Sequence, residues 1–165
     1  MIGLILAGGR ATRLKEETKD KPKCMVEVGG KPILEHIADH MNKHGIWRIV
    51  VNLHAFPEVV MKYFGQRFLY LYEPVPMGEF ATKSLVQQWF PLEQMLIANG
   101  DTLTDLNISN LPKNGKFRFL VDGVHMGTSI YNSVEEDPTQ EREVKCWYQD
   151  IGTPEGLAAA RKHYG

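Results

Sequence analysis

Two glycines, Gly8 and Gly9, end the apolar run Ile2 to Leu6, and two cations, Arg13 and Lys23, follow them at short range. Without Cβ atoms the main chain turns sharply there and brings its N–H groups against a ligand, which suits phosphate oxygens. The guanidinium of Arg13 can fork onto two such oxygens, and the ammonium of Lys23 can supply a point charge to a third. Leu6, Ala7, Gly8, Gly9 and Arg10 would then form the cradle of a nucleoside triphosphate. A plain strand-to-loop turn with solvated cations is compatible with the glycine pair alone.

A second set of polar residues lies far along the chain. Asp101 sits just past the apolar stretch Met95 to Asn99, where a carboxylate can reach a metal held over phosphates. Asn99-Gly100-Asp101-Thr102 also has the composition of an ordinary turn with a capping aspartate. His36, His40 and His44 recur every four residues and stack along one side of a helix. Leu34, Ile37 and Met41 mark the buried side about a quarter-turn away, so the histidines read as a half-exposed polar stripe rather than a metal face. Cys24 and Cys146 make neither a disulfide framework nor a metal pair of diagnostic spacing, and are expected to be reduced and structural.

These groups need a scaffold, and apolar strands alternating with amphipathic segments supply one. Strands are expected at Ile2–Leu6, Arg48–Leu53, Phe68–Tyr72 and Met95–Asn99, with helices at Pro32–Lys43, Pro57–Phe64 and Ala81–Trp89. That alternation predicts a parallel sheet covered by helices, with Gly8, Gly9 and Asp101 along the edge where open α/β sheets bind ligands. Beyond Asp101, Phe117–Val121, Thr128–Tyr131 and Val144–Tyr148 read as short strands, and Pro154–His163 as a helix capped by Thr153.

With 165 residues, 43% hydrophobic and 24% charged, the chain has enough material for one sizeable core. A single domain, 1–165, is expected. Its formal net charge of −1 gives no global field for nucleic acid or an anionic membrane, so phosphate affinity must come from local cations. The N-terminus runs straight into a strand, and no long apolar run occurs elsewhere, which reads as a soluble cytoplasmic protein.

Leu6-Ala7-Gly8-Gly9-x-x-Thr12-Arg13-Leu14, then Thr18, then Pro22-Lys23-x-Met25-x-x-Val28-x-Gly30-Lys31-Pro32-Ile33-Leu34-Glu35-His36-Ile37, resembles the signature of the sugar-1-phosphate nucleotidyltransferases. It is most similar to their mannose- and heptose-1-phosphate guanylyltransferase branch, and it continues with Asn99-Gly100-Asp101-Thr102 and Asp150-Ile151-Gly152-Thr153-Pro154-Glu155. The resemblance implies a Rossmann-like three-layer α/β sandwich with a mostly parallel sheet. Residues 1–105 would be its nucleotide-binding half and 106–165 its acceptor half. It implies transfer of a nucleotidyl group from a triphosphate to a sugar 1-phosphate, with Mg²⁺ and release of pyrophosphate. Arg13 and Lys23 would be catalytic, Asp101 and Asp150 would hold the metal, and Asn99 and Gly100 would lie on the nucleotide side.

The implied metal has a physical reason. The attacking phosphate and the triphosphate are both anions, and one unit pair at 4 Å repels by about 4 kcal/mol at an effective dielectric near 20. A Mg²⁺ on two carboxylates would offset that repulsion and orient the α-phosphate. No general base is required, because a sugar phosphate is already ionised at neutral pH.

Tyr72-Glu73-Pro74-Val75-Pro76-Met77-Gly78 looks like the family's base-reading loop, with Glu73 at the nucleobase edge and Gly78 allowing close approach of backbone. An ionised carboxylate only accepts hydrogen bonds, and guanine presents two adjacent donors, so GTP is favoured. Cytosine, with one amine, stays open, as does a merely solvated glutamate.

The chain departs from the family on the acceptor side. Ala11 replaces a usual glycine, Glu79 and Phe80 stand where small residues are usual, and the interval from Asp101 to Asp150 is short. Gly127-Thr128-Ser129-Ile130-Tyr131 and Ser133-Val134-Glu135-Glu136-Asp137 look like compressed acceptor motifs, with Glu136 where a lysine often partners the acceptor phosphate. Arg118, Lys145 or the partner subunit of a homodimer could replace it. Three readings follow: a compact guanylyltransferase acting on a heptose or hexose 1-phosphate, a cytidylyltransferase acting on a small phosphorylated alcohol such as phosphocholine, and a non-catalytic nucleotide-binding module.

Overall fold

The computed structural model describes residues 1–9, 13–131 and 139–165. Arg10, Ala11 and Thr12 of the expected cradle, and Ser133 to Asp137 of the expected acceptor motifs, lie outside the described residues. In chain order the elements are β1 (Ile2–Leu6), β2 (Glu27–Val28), β3 (Lys31–Pro32), α1 (Ile33–Lys43), β4 (Ile49–Leu53), α2 (Pro57–Phe64) and β5 (Leu69–Tyr72). They continue with α3 (Glu79–Trp89), β6 (Met95–Asn99), β7 (Thr102–Thr104), β8 (Phe117–Val121), β9 (Val124–Tyr131), β10 (Gln140–Glu143), β11 (Tyr148–Asp150) and α4 (Pro154–Tyr164).

Seven strands form one sheet in the order β10-β8-β9-β6-β1-β4-β5. β1 pairs in parallel with β4 and β6, β4 with β5 and β10 with β8, whereas β9 runs antiparallel to both β6 and β8. The apolar strands β1, β4 and β6 lie at the centre, buried along almost their whole length, as parallel strands covered on both faces must be. On one face Ile5, Val51 and Leu53 belong to a core with Leu34, Ile37 and Met41 of α1 and Phe64 of α2. On the other, Ile2, Leu4, Val50, Met95 and Ile97 pack with Val86 of α3. Full burial of each such side chain contributes about 1.5–3 kcal/mol. This is the mostly parallel, helix-covered Rossmann-like sheet that the alternation predicts.

Three elements differ from expectation by more than one residue. α3 starts at Glu79, two residues before Ala81, because Gly78 takes φ +83° and serves as its N-cap residue. β9 starts at Val124 rather than Thr128, since Asp122 and Gly123, both at positive φ, form a two-residue turn that pairs it back onto β8. The expected strand Val144–Tyr148 is not one strand: Val144 N–H donates to Leu120 O at the end of β10, and pairing resumes at Tyr148, on β7. Residues between cross from one sheet to another. Thr153 does cap α4, its hydroxyl accepting from Gly156 N–H at 3.1 Å, with Pro154 in the first turn. Among the described residues no helix is long and apolar enough to cross a membrane.

Candidate active site

The site lies where β1, β4 and β6 end. Leu6, Asn52 and Asn99 stand in register across these strands, so their side chains share the face that α3 covers. Gly100 follows Asn99 and donates its N–H to Leu6 O at 2.9 Å. A Cβ on Gly100 would sit 2.9 Å from Leu6 O and 3.1 Å from Ala7 Cα, so only glycine lets the β6 turn close on the glycine loop.

Asn52 organises that loop. Its Oδ1 accepts Ala7 N–H at 2.7 Å and Gly8 N–H at 3.3 Å, and its Nδ2 donates to Glu73 Oε1 at 3.1 Å. The expectation that the Gly8 amide faces phosphate is therefore corrected: this N–H, with that of Ala7, is committed to the protein. Gly8 is needed for proximity instead, since a Cβ there would approach Asn52 Nδ2 to 2.8 Å. Gly9 is exposed, with open space where a Cβ would stand.

Glu73 is 2% exposed and anchored by the fold. Oε1 accepts from Asn52 and from the Thr82 hydroxyl at 2.5 Å, and Oε2 accepts Met77 N–H at 3.1 Å. The carboxylate is thus held in one orientation, with Oε2 carrying a single protein donor. It lines a cavity of about 250 Å³ together with Leu6, Gly8, Asn52, Gly78 and Glu79. At Gly78 nothing in the protein approaches the Cβ position, and its positive φ is what requires glycine.

A smaller recess lined by Leu6, Ala7, Gly9, Lys23, Gly100 and Asp101 shares Leu6 and Gly9 with that cavity, so the two adjoin along the cradle. Here Lys23 Nζ donates to Asp101 Oδ2 at 2.6 Å. Asp150 joins them because β11 pairs antiparallel with β7, placing Asp150 opposite Thr102, and Ile151 N–H donates to Asp101 O at 2.9 Å. A Cβ on Gly152 would lie 2.7 Å from Asp150 Oδ1, 3.0 Å from Arg13 Nη2 and 3.4 Å from Lys23 Nζ. Four residues separated widely in sequence therefore converge at one point, two carboxylates and two cations, and Gly152 leaves them room.

Asp101 and Asp150 fit a hard divalent cation. Their oxygens are the donor type Mg²⁺ takes, and a cation already sits on Asp101, the ammonium of Lys23. Two carboxylates suit sites where substrate phosphates complete the shell. When bound, such an ion neutralises phosphate charge and orients the oxygens it bridges.

The histidines of α1 serve the fold. His36 Nε2–H donates to Val28 O at 2.8 Å and His40 Nε2–H to Leu106 O at 2.9 Å, while His44 Nδ1 meets the Ser109 hydroxyl at 2.9 Å. Burial lowers the His40 pKa from 6.5, which keeps the ring neutral beside its carbonyl partner. Cys24 is buried and its thiol is pushed up to about 12, chiefly by desolvation.

Asn52 and Thr82 were not legible as site residues. A polar side chain inside the otherwise apolar Ile49–Leu53 was the available signal for Asn52; Thr82 carried none, because its role depends on how α3 meets β5.

Residues 3–104 match the family model described as MobA-like NTP transferase domain. The chain is 36% identical over 120 residues to D-glycero-alpha-D-manno-heptose 1-phosphate guanylyltransferase of Campylobacter jejuni, covering 69% of this chain and 53% of that protein. It is 48% identical over 71 residues to glucose-1-phosphate cytidylyltransferase of Salmonella typhimurium, covering 43% of this chain and 28% of that protein. The chain thus spans about half or less of these relatives' lengths. The crystal structure of HddC from Yersinia pseudotuberculosis complexed with GMP-PN superposes with a TM-score of 0.83 at 20% identity, covering 100% of both chains, a likeness of fold.

Proposed function

The chain belongs to the family of MobA-like NTP transferase domains, and from that membership we propose that it transfers a nucleoside monophosphate, GMP from GTP, to a heptose or hexose 1-phosphate, releasing pyrophosphate. The observation that carries the reading is the convergence of Arg13, Lys23, Asp101 and Asp150 at Gly152, beside a cavity floored by Leu6 and Asn52.

In this reading the base enters the cavity against Glu73 and the triphosphate follows the cradle past Gly9 toward Lys23. Arg13 and Lys23 neutralise charge on the phosphates and hold the α-phosphorus in line with the incoming acceptor. An oxygen of the sugar phosphate attacks the α-phosphorus, the bond to the β-phosphate oxygen breaks, and pyrophosphate leaves with that electron pair. The nucleophile is already ionised, so no protein base takes a proton. Asp101 and Asp150 would hold Mg²⁺, which would supply the charge neutralisation described above.

GTP is favoured because Glu73 offers only acceptors and its Oε2, held in place with a single protein donor, keeps acceptor capacity for a base N–H donor such as guanine presents. The likeness to the cytidylyltransferase over 71 residues makes CTP the competing donor. The test is pyrophosphate release with each of GTP, CTP, UTP and ATP, Mg²⁺ and heptose or hexose 1-phosphates. Fastest release with GTP is expected; fastest release with CTP moves the base assignment, and none with any pair removes the transferase reading.

A further inference from the structure

The face of the sheet under α3 carries a second cavity beside the first, of about 250 Å³, lined among others by Glu79, Lys83, Ile97, Arg118, Ser129 and Tyr131. Glu79 lines both. Val50, Leu4, Ile97, Ser129 and Arg118 stand in register across β4, β1, β6, β9 and β8, so one row of side chains on this face runs from the α3 core to Arg118. The adjacent row, two residues on, is that of Asn52, Leu6 and Asn99, the floor of the nucleotide side. Two residues of strand are about 7 Å. Arg118 therefore lies one such step back and two strands, about 10 Å, across from Asn99 at the edge of that floor. It shares its row with Ile97, four positions before Asp101, and so is out of reach of the reacting phosphate.

Among the described lining residues the cations Lys83 and Arg118 outnumber the single carboxylate of Glu79. Lys83 Nζ and Lys116 Nζ each lie 5.5 Å from the centre of the Tyr131 ring, and Arg118 is exposed and makes no ion pair among the described residues. Against them stand Glu79, which accepts from Lys83 Nζ at 3.0 Å, and Glu141, the ladder neighbour of Arg118 on β10. A neutral sugar seated here would shed water from a guanidinium and an ammonium and give them only hydroxyls in return. A carboxylate or phosphate would meet the guanidinium fork with two charge-assisted bonds.

Resting on the transferase reading above, we propose that the acceptor carries a second anionic group, at the end of its ring away from the reacting phosphate, and that Arg118 and Lys83 receive it. Ser129 supplies a hydroxyl in the same row, between Ile97 and Arg118. Glu79 keeps Lys83 directed into the cavity and is placed to accept from ring hydroxyls. The substrate class is thus a sugar 1-phosphate bearing a carboxylate or a second phosphate.

The test is calorimetric binding of glucose 1-phosphate, glucuronic acid 1-phosphate and glucose 1,6-bisphosphate, and of their manno counterparts, to the protein with Mg²⁺ and a non-hydrolysable GTP analogue, run beside pyrophosphate release with GTP. We expect one anionic acceptor to bind at least ten-fold tighter than its neutral counterpart. We expect Arg118→Gln and Lys83→Gln to erase that preference while the affinity for the analogue stays unchanged, and Arg118→Lys to restore part of it. Preference for the bisphosphate assigns the second group as phosphate, and preference for the uronic acid as carboxylate. Equal or tighter binding of the neutral sugar, or a preference that persists in both Gln variants, overturns the inference. Arg118-dependent binding without pyrophosphate release leaves it standing and overturns the transferase reading instead.

Discussion

Lys23 Nζ donates to Asp101 Oδ2 at 2.6 Å, joining the loop after β1 to the turn after β6 across 78 positions of chain. Both side chains are largely shielded, at 16% and 25% exposure, so the pair is held rather than flickering in solvent. A divalent cation held by Asp101 would compete with the lysine for its carboxylate, and the ammonium of Lys23 would then be free to meet a phosphate. The ion pair and the proposed chemistry are two uses of one geometry.

Lys23→Ala is expected to lower turnover by about 10²–10³, the usual cost of losing a charge-stabilising donor. Its melting temperature should move little, because Asp101, a quarter exposed, can be rehydrated once the ammonium is gone. Steady-state rates and a thermal melt check both; wild-type activity in a folded Lys23→Ala protein would remove the residue from the mechanism.

Asp101→Asn keeps the shape but removes the charge that the proposed ion binds. The Mg²⁺ concentration for half-maximal rate should rise by more than the roughly 10–100-fold that losing an outer-shell partner costs. A metal titration at saturating nucleotide measures this, and an unchanged midpoint places the ion elsewhere.

Asn52→Ala takes from the Ala7 and Gly8 amides their shared acceptor and from Glu73 Oε1 one of its two donors, the other being Thr82. The expected loss is about 1–3 kcal/mol of stability, read as a fall of roughly 2–4 °C in melting temperature per kcal/mol for a chain this long. Nucleotide affinity should fall as well, because the cradle and Glu73 lose their common anchor. Undiminished affinity would show that the loop holds its shape without Asn52.

Stability should decline in two steps on acidification. His40 has its pKa lowered from 6.5, mainly by burial, so its contribution is complete above about that pH and is lost as pH falls toward the depressed folded value. Glu17, hydrogen-bonded to Arg161, has its pKa lowered from 4.5, so its contribution is lost only below that value. Thermal melts from pH 8 to 3.5 resolve the steps, and His40→Gln, which can still donate to Leu106 O, should shrink the upper one. An unchanged upper step would assign it to another group.

The Cys24 thiol, pushed up to about 12, should resist iodoacetamide at pH 8 in the native protein and react readily once unfolded. Mass spectrometry of labelled peptides reads the contrast; prompt native labelling of Cys24 would show that its enclosure opens.

The sequence by itself determined what local pattern encodes. Apolar runs Ile2–Leu6 and Met95–Asn99 are strands with the expected bounds, Pro57–Phe64 is a helix, and Thr153-Pro154 starts α4, because burial period, capping and proline geometry act within a few residues. The glycine loop and the cations after it pointed to Arg13 and Lys23, while Asp101 and Asp150 became candidates through the resemblance of their segments to the family signature. Tertiary structure alone decided that these four share one point. Their approach depends on β1 pairing with β6 and β11 with β7, and on Gly100 and Gly152 admitting neighbours that any Cβ would exclude. It likewise decided the fate of the Gly8 amide, taken by Asn52 from the neighbouring strand, and the row that carries Arg118 to the edge of the site. Strand register sets these contacts, and register is a property of how the whole sheet assembles, which no short stretch of residues specifies.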